Sequence, residues 1–194
     1  MKKMIKLGLI LLAVCIIASF SLSAVNNSTK KLIEEQSIIK NDELRKNVLP
    51  DATEFKKVEP DLSSLDSDVQ SVIVEVYQGL DASGKTVGYT VKTSPSGYGG
   101  PFELIIGFTD EGQISSISTG TMSETPGLGS KASQPEFQEQ FKGKQADTLE
   151  VVKGVASADN QIKAISGATI TSTAVTKGVN AAIDLFNNVL VNLK

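Results

Sequence analysis

From Leu7 to Val25 the chain carries no charged residue, and Lys2, Lys3 and Lys6 stand just ahead of that run. Wound as a helix, such a stretch reaches across roughly 30 Å, the hydrocarbon thickness of a bilayer. Whatever follows is then a body tethered by its N-terminus. The lysines favour the cytoplasmic side, which puts the remainder of the chain outside it. A cleaved signal peptide is the rival, because Ser19 to Ala24 offers small residues to a peptidase. The apolar run exceeds the usual signal core, so a retained anchor over 1–25 is the expectation. Leu12-Ala13-Val14-Cys15 resembles a lipid-attachment box, but Val14 is β-branched and the apolar run continues past Cys15, which reads as an apolar residue of the anchor.

Residues 26–67 form a second region. Up to residue 50 it is polar and charged, with Leu32, Ile33, Ile38, Ile39, Leu44 and Val48 loosely spaced as on a helix that ends before Pro50. This is either a stalk or the first packed helix. The stretch from Asp51 to Ser67, rich in Asp, Ser and Pro, reads as irregular connection.

The pattern then changes to strands. Val72, Val74 and Val76 alternate with Ile73, Glu75 and Tyr77, Asp81 to Gly84 makes a turn, and Val87, Tyr89 and Val91 return. Phe102 to Phe108, the turn Asp110-Glu111-Gly112 and the run from Ile114 to Ser118 repeat the scheme. Two hairpins predict one antiparallel sheet. A short helix over 135–141 and a further strand over 148–152 follow. Val175, Val179, Ala182, Ile183, Phe186, Val189, Leu190 and Leu193 then mark one face of a long C-terminal helix, with Lys177, Asn180, Asp184, Asn187 and Asn188 off it. The expected class is α+β: an antiparallel sheet of two hairpins plus a further strand, packed with helices behind one transmembrane helix.

Ahead of the C-terminal helix stands Ser166-Gly167-Ala168-Thr169, followed by Ile170-Thr171-Ser172-Thr173. The helix start is expected among Thr171, Ser172 and Thr173, hydroxyl residues that cap orphan N–H groups, and those groups with the helix dipole favour a phosphate. A plain capped helix accounts for the same residues. Two glycine-rich loops, Gly97-Tyr98-Gly99-Gly100-Pro101 and Glu124-Thr125-Pro126-Gly127-Leu128-Gly129, let backbone approach a ligand closely, or simply turn the chain.

Absences narrow the chemistry. The 194 residues contain no His and one Cys, which excludes a Ser-His-Asp triad, His-ligated haem, an all-thiolate iron–sulfur cluster and an intramolecular disulfide. Redox chemistry would need an organic cofactor. A net charge of −3, with basic residues dispersed, argues against a nucleic-acid partner.

Taken together and in order behind one anchor, the three motifs closely resemble the G subunit of the Rnf ion-translocating electron-transport complex. The C subunit of the sodium-translocating NADH:quinone oxidoreductase shares the plan. The resemblance implies an FMN-binding domain over 68–194 and covalent FMN, joined by a phosphoester to Thr169 through a separate flavin transferase that uses FAD. It implies that Ser166, Gly167 and Ala168 form the turn the transferase recognises, and that Thr171 and Ser172 cap the helix and bond the phosphate. Glu124, Thr125, Gly127 and Leu128 belong to the loop that meets the flavin ring, Thr125 at its polar edge and Leu128 on its flat face. Tyr98 either stacks on the ring or fills core. The implied role is an electron carrier within a complex coupling ferredoxin:NAD oxidoreduction to Na⁺ or H⁺ movement. The partners are the other redox and membrane subunits. The transferase's preferred sequence has an acid three positions before the motif serine, where this chain has Lys163; the nearest upstream acid is Asp159. The alternative from another class is a membrane-anchored extracytoplasmic binding or assembly module without a covalent cofactor.

Overall fold

The computed structural model describes residues 2–193, apart from the side chains at 2, 4, 27, 28, 30–35 and 37. The expectation placed on the side chains of Leu32 and Ile33 therefore lies outside the described residues. Helix α1 runs without a break over Lys2–Val48. Its segment Ile5–Asn26 is long and apolar enough to cross a membrane, with a mean hydropathy of 2.5. The chain divides into two compact units, residues 1–42 and 43–194.

The second unit is built on a five-stranded antiparallel sheet: β1 (Glu54–Val58), β2 (Ile73–Leu80), β3 (Thr86–Thr93), β4 (Leu104–Thr109) and β5 (Ile114–Thr119), paired in that order. The two predicted hairpins are β2–β3 and β4–β5. The β2–β3 turn is held by the Asp81 carboxylate, whose Oδ1 accepts the Ser83 and Lys85 amides and the Ser83 hydroxyl. These bonds to its charged form, that from the Ser83 hydroxyl first, keep the Asp81 carboxyl below its ordinary value. Gly84 closes the turn at φ +81°, where a side chain would be strained.

Strand β1 lies in the stretch read as irregular connection, and it corrects that reading. Its sequence, Glu54-Phe55-Lys56-Lys57-Val58, is polar because it is an edge strand with most side chains in solvent, so it lacks the apolar alternation that announces a strand. The strand expected over 148–152 is β6 (Glu150–Val152), but it does not join the main sheet. It pairs in parallel with β7 (Gln161–Lys163) as a separate two-stranded ribbon.

The sheet's two faces are covered differently. Helix α4 (Thr169–Asn188) lays Val175, Val179, Ala182, Ile183 and Phe186 over one face, against Val76, Tyr89, Val91, Leu104, Ile106 and Phe108. Phe108 and Phe186 stack at 5.0 Å. Short helices α2 (Ser67–Val72) and α3 (Pro135–Gln138) border this core, to which Phe137 and Phe141 contribute an edge-on pair at 5.6 Å. The opposite face carries glycines: a Cβ at Gly107 would strike the Val48 carbonyl, and one at Gly79 would lie 2.6 Å from Leu49 Cδ2. The last turn of α1 settles into this groove. Arg45 is buried there, bonding Glu75 at 2.9 Å with its guanidinium 3.7 Å from the Tyr77 ring centre.

Candidate cofactor site

Three turns meet at the start of α4, and each follows from its own sequence. In Thr125-Pro126-Gly127-Leu128 the Leu128 amide donates to the Thr125 carbonyl at 3.1 Å, and Gly127 has φ +76°. A type II turn requires positive φ at its third position, which suits glycine, and proline is common at its second. Ile165-Ser166-Gly167-Ala168 repeats this geometry, with an Ala168 to Ile165 bond of 2.9 Å and φ +77° at Gly167. A Cβ on Gly167 would sit 3.1 Å from Leu128 Cδ2, so these two turns abut. The third turn spans Gly97 to Gly100, closed by the Gly97 amide donating to the Gly100 carbonyl at 2.9 Å.

Glu124 ties the three together. Its side chain is 8% exposed, and its oxygens divide between two elements distant in sequence. Oε1 accepts the Gly99 amide at 3.1 Å, and Oε2 accepts the Thr171 hydroxyl at 2.8 Å. Gly97 and Gly129 lie against the carboxylate so closely that a Cβ on either would strike it. The glycines of both loops are thus needed here for space as well as for turning.

Helix α4 begins at Thr169 with Ala168 in the N-cap position and no side-chain cap. The expectation that Thr171 and Ser172 cap this helix is therefore corrected. Both lie within the first turn and are buried; Thr171 bonds Glu124, while Ser172 donates back to the Ala168 carbonyl at 3.0 Å and accepts the Ile165 amide at 2.9 Å. Both hydroxyls have partners inside the protein, and Thr171 also lines the cleft that the turns form. The helix starts two residues earlier than the hydroxyl cluster suggested because Gly167, through its turn, already delivers the chain in register.

The turns enclose a cleft of about 600 Å³, lined chiefly by Tyr98, Glu124, Thr125, Leu128, Thr169 and Ile170. Gly127 stands at the corner of the turn outside this lining, and Ser166 faces a neighbouring cleft that shares Gly167 and Thr169. Tyr98 is 72% exposed, which removes the core-filling alternative. Leu128 and Ile170, at 42% and 57%, complete an apolar rim. Ile170 was not singled out from sequence, though it immediately follows Thr169. The volume suits a small-molecule ligand, and apolar walls around a few fixed polar groups are the usual form of such a site. Thr169 is half-buried and lines both clefts.

Residues 97–184 match the family model of the FMN-binding domain. Fold, cleft and match together put the chain in the class of FMN-binding-domain proteins. It is 42% identical over 195 residues to the G subunit of the Na(+)-translocating ferredoxin:NAD(+) oxidoreductase complex of Acetobacterium woodii, covering 96% of this chain and 93% of that protein. Against the G subunit of the proton-translocating ferredoxin:NAD(+) oxidoreductase complex of Clostridium ljungdahlii the identity is 36% over 171 residues, covering 88% and 84%. The chain belongs to the family of G subunits of ion-translocating ferredoxin:NAD oxidoreductase complexes, the Rnf type. Among solved structures, the C subunit of the Na(+)-translocating NADH-quinone reductase from Parabacteroides distasonis superposes with a TM-score of 0.51 at 27% identity, covering 67% of this chain and 70% of that one.

Proposed function

We propose that this protein is the membrane-anchored electron carrier of an Rnf-type complex and holds FMN through a phosphoester on Thr169. The observation that carries the reading is the position of Thr169, which lines both the ring-sized cleft and its neighbour. Among the described residues its hydroxyl has no partner inside the protein, while those of Thr171 and Ser172, in the same turn of α4, are bonded. In attachment, Thr169 Oγ1 forms the new bond to the phosphorus of the FMN half of FAD. The bond to AMP breaks, AMP departs with the electron pair, and the hydroxyl proton passes to a base of the flavin transferase. The chain needs no acid–base catalyst of its own, in keeping with a sequence that lacks His.

FMN supplies the electron chemistry when bound. The protein's part is position: Tyr98, Leu128 and Ile170 offer apolar surface to the ring, Thr125 a polar edge, and Glu124 fixes the loops that present them. In this reading residues 1–25 anchor the protein, and the FMN domain, which takes in strand β1 as well as 68–194, lies outside the cytoplasm. Tethering of the chain to the membrane and of the flavin to the chain keeps the carrier at high effective concentration near the other subunits.

Expression beside a flavin transferase should give a fluorescent band on a denaturing gel, and peptide mass spectrometry should place FMN on Thr169. Thr169→Ala should abolish the band; a dark wild-type band would refute the covalent reading. Protease added outside spheroplasts should reach the domain, and protection would reverse the proposed orientation.

A further inference from the structure

The cleft on the other side of Thr169 has a different character. It encloses about 630 Å³ and is lined by Lys131, Lys153 and Lys163 beside Ser166 and Thr169. The lysines come from three separate elements: the 3-10 turn Gly129–Ser133, the residue after β6, and the end of β7. Their convergence is a product of the fold, since no basic run exists in this part of the sequence. None has an ion-pair partner among the described residues. One acid, Glu136, also lines the cleft, so three lysines share it with one carboxylate residue in a chain whose net charge is −3. Gln134 and Gln140 are its remaining polar side chains, and Gln140 is partly spent on the Lys163 backbone, whose amide it accepts at 2.8 Å.

We propose that this lysine-lined cleft is a phosphoryl-binding subsite, in which Lys131, Lys153 and Lys163 hold a phosphate group beside Thr169. The apolar cleft then takes a ring and the basic cleft takes the anion, with Thr169 at the junction of the two. Lys163, the residue that departs from the transferase's preferred sequence, acquires a role in this arrangement. The same chemistry serves two sources: the phosphodiester of FMN tethered to Thr169, or the phosphate of a free nucleotide. Only the first source rests on the covalent-flavin reading; the charge of the cleft does not.

The test uses the full chain in detergent, purified without transferase, and compares FMN with riboflavin, which differs only in lacking the phosphate. FMN should bind more tightly. Each Lys→Gln change should weaken FMN by about three-fold, as for exposed charge pairs, and leave riboflavin unchanged. The triple variant Lys131→Gln/Lys153→Gln/Lys163→Gln should erase the preference, and Glu136→Gln should increase it. Added salt should reduce the preference in the wild type. Inorganic phosphate, followed by amide shifts across 163–169, reads the cleft without a ring. If phosphate binds but the protein expressed beside a transferase gives a dark band, the flavin reading fails and the subsite stands. Phosphate that no longer binds after flavin attachment identifies the tethered phosphodiester as the occupant; phosphate that still binds identifies a free nucleotide. Equal FMN and riboflavin affinities with no response to phosphate, or a preference untouched by the triple variant, overturns the proposal.

Discussion

The inner wall of the ring cleft and its outer rim are made from the same two loops and the same helix turn, yet they obey opposite rules. The wall is polar and buried: Glu124, the Gly99 amide, the Thr171 hydroxyl and the glycines that make room for them. The rim is apolar and exposed: Tyr98, Leu128 and Ile170. The usual distribution puts apolar groups inside and polar groups outside, so the inversion is informative. The wall is a fastening that sets loop positions before any ligand arrives, whereas the rim is surface held open for something to cover. Mutations should accordingly cost stability at the wall and ligand behaviour at the rim.

The sharpest way to break this contrast is Gly129→Ala. A Cβ there would strike Glu124 Oε2 and lie 2.7 Å from Thr171 Oγ1, so the carboxylate must move and both its bonds go with it. Overpacking combined with two unmet buried groups predicts a loss of about 3 kcal/mol. A thermal melt of the full chain in detergent should fall by roughly 6–12 °C, at about 2–4 °C per kcal/mol for a domain of this size. A melt within a degree of wild type would show that the fastening bears no load.

Thr171→Val should act in the same sense with a smaller size. It keeps the shape and removes the donor, leaving Glu124 Oε2 short of a bond at a cost of about 1–2 kcal/mol. Combined with Glu124→Ala, its effect should fall well short of additive, because both changes cut one link. Full additivity of the two melts would mean that Glu124 and Thr171 are neighbours without being coupled.

How much of this was legible in the sequence divides along the same line. The two type II turns are local objects: Pro126-Gly127 and Ser166-Gly167 specify them within four residues, so the loops were readable. The hairpins and the apolar face of α4 were readable for a similar reason, through periods of two and 3.6. The bond from Thr171 to Glu124 spans 47 positions, and nothing in either segment names the other. Thr171 and Ser172 therefore looked like helix caps, which is what hydroxyls near a helix start commonly are. The glycine groove under α1 was hidden likewise, because Gly79, Gly88 and Gly107 belong to three strands and form a surface only once these are paired.

The smallest expected effect on stability lies at the rim, and it is the most telling about ligand. Tyr98 is at the tip of its turn, so Tyr98→Ala should change stability by less than about 0.5 kcal/mol. Its consequence should appear only in flavin-loaded protein. A tyrosine stacked on a flavin quenches its fluorescence by electron donation, so removing the ring should raise the emission yield and leave the melt unmoved. A higher yield with an unchanged melt places Tyr98 on the ring and keeps wall and rim distinct. A lowered melt with unchanged emission would make Tyr98 part of the fastening, and the rim would then consist of Leu128 and Ile170 alone.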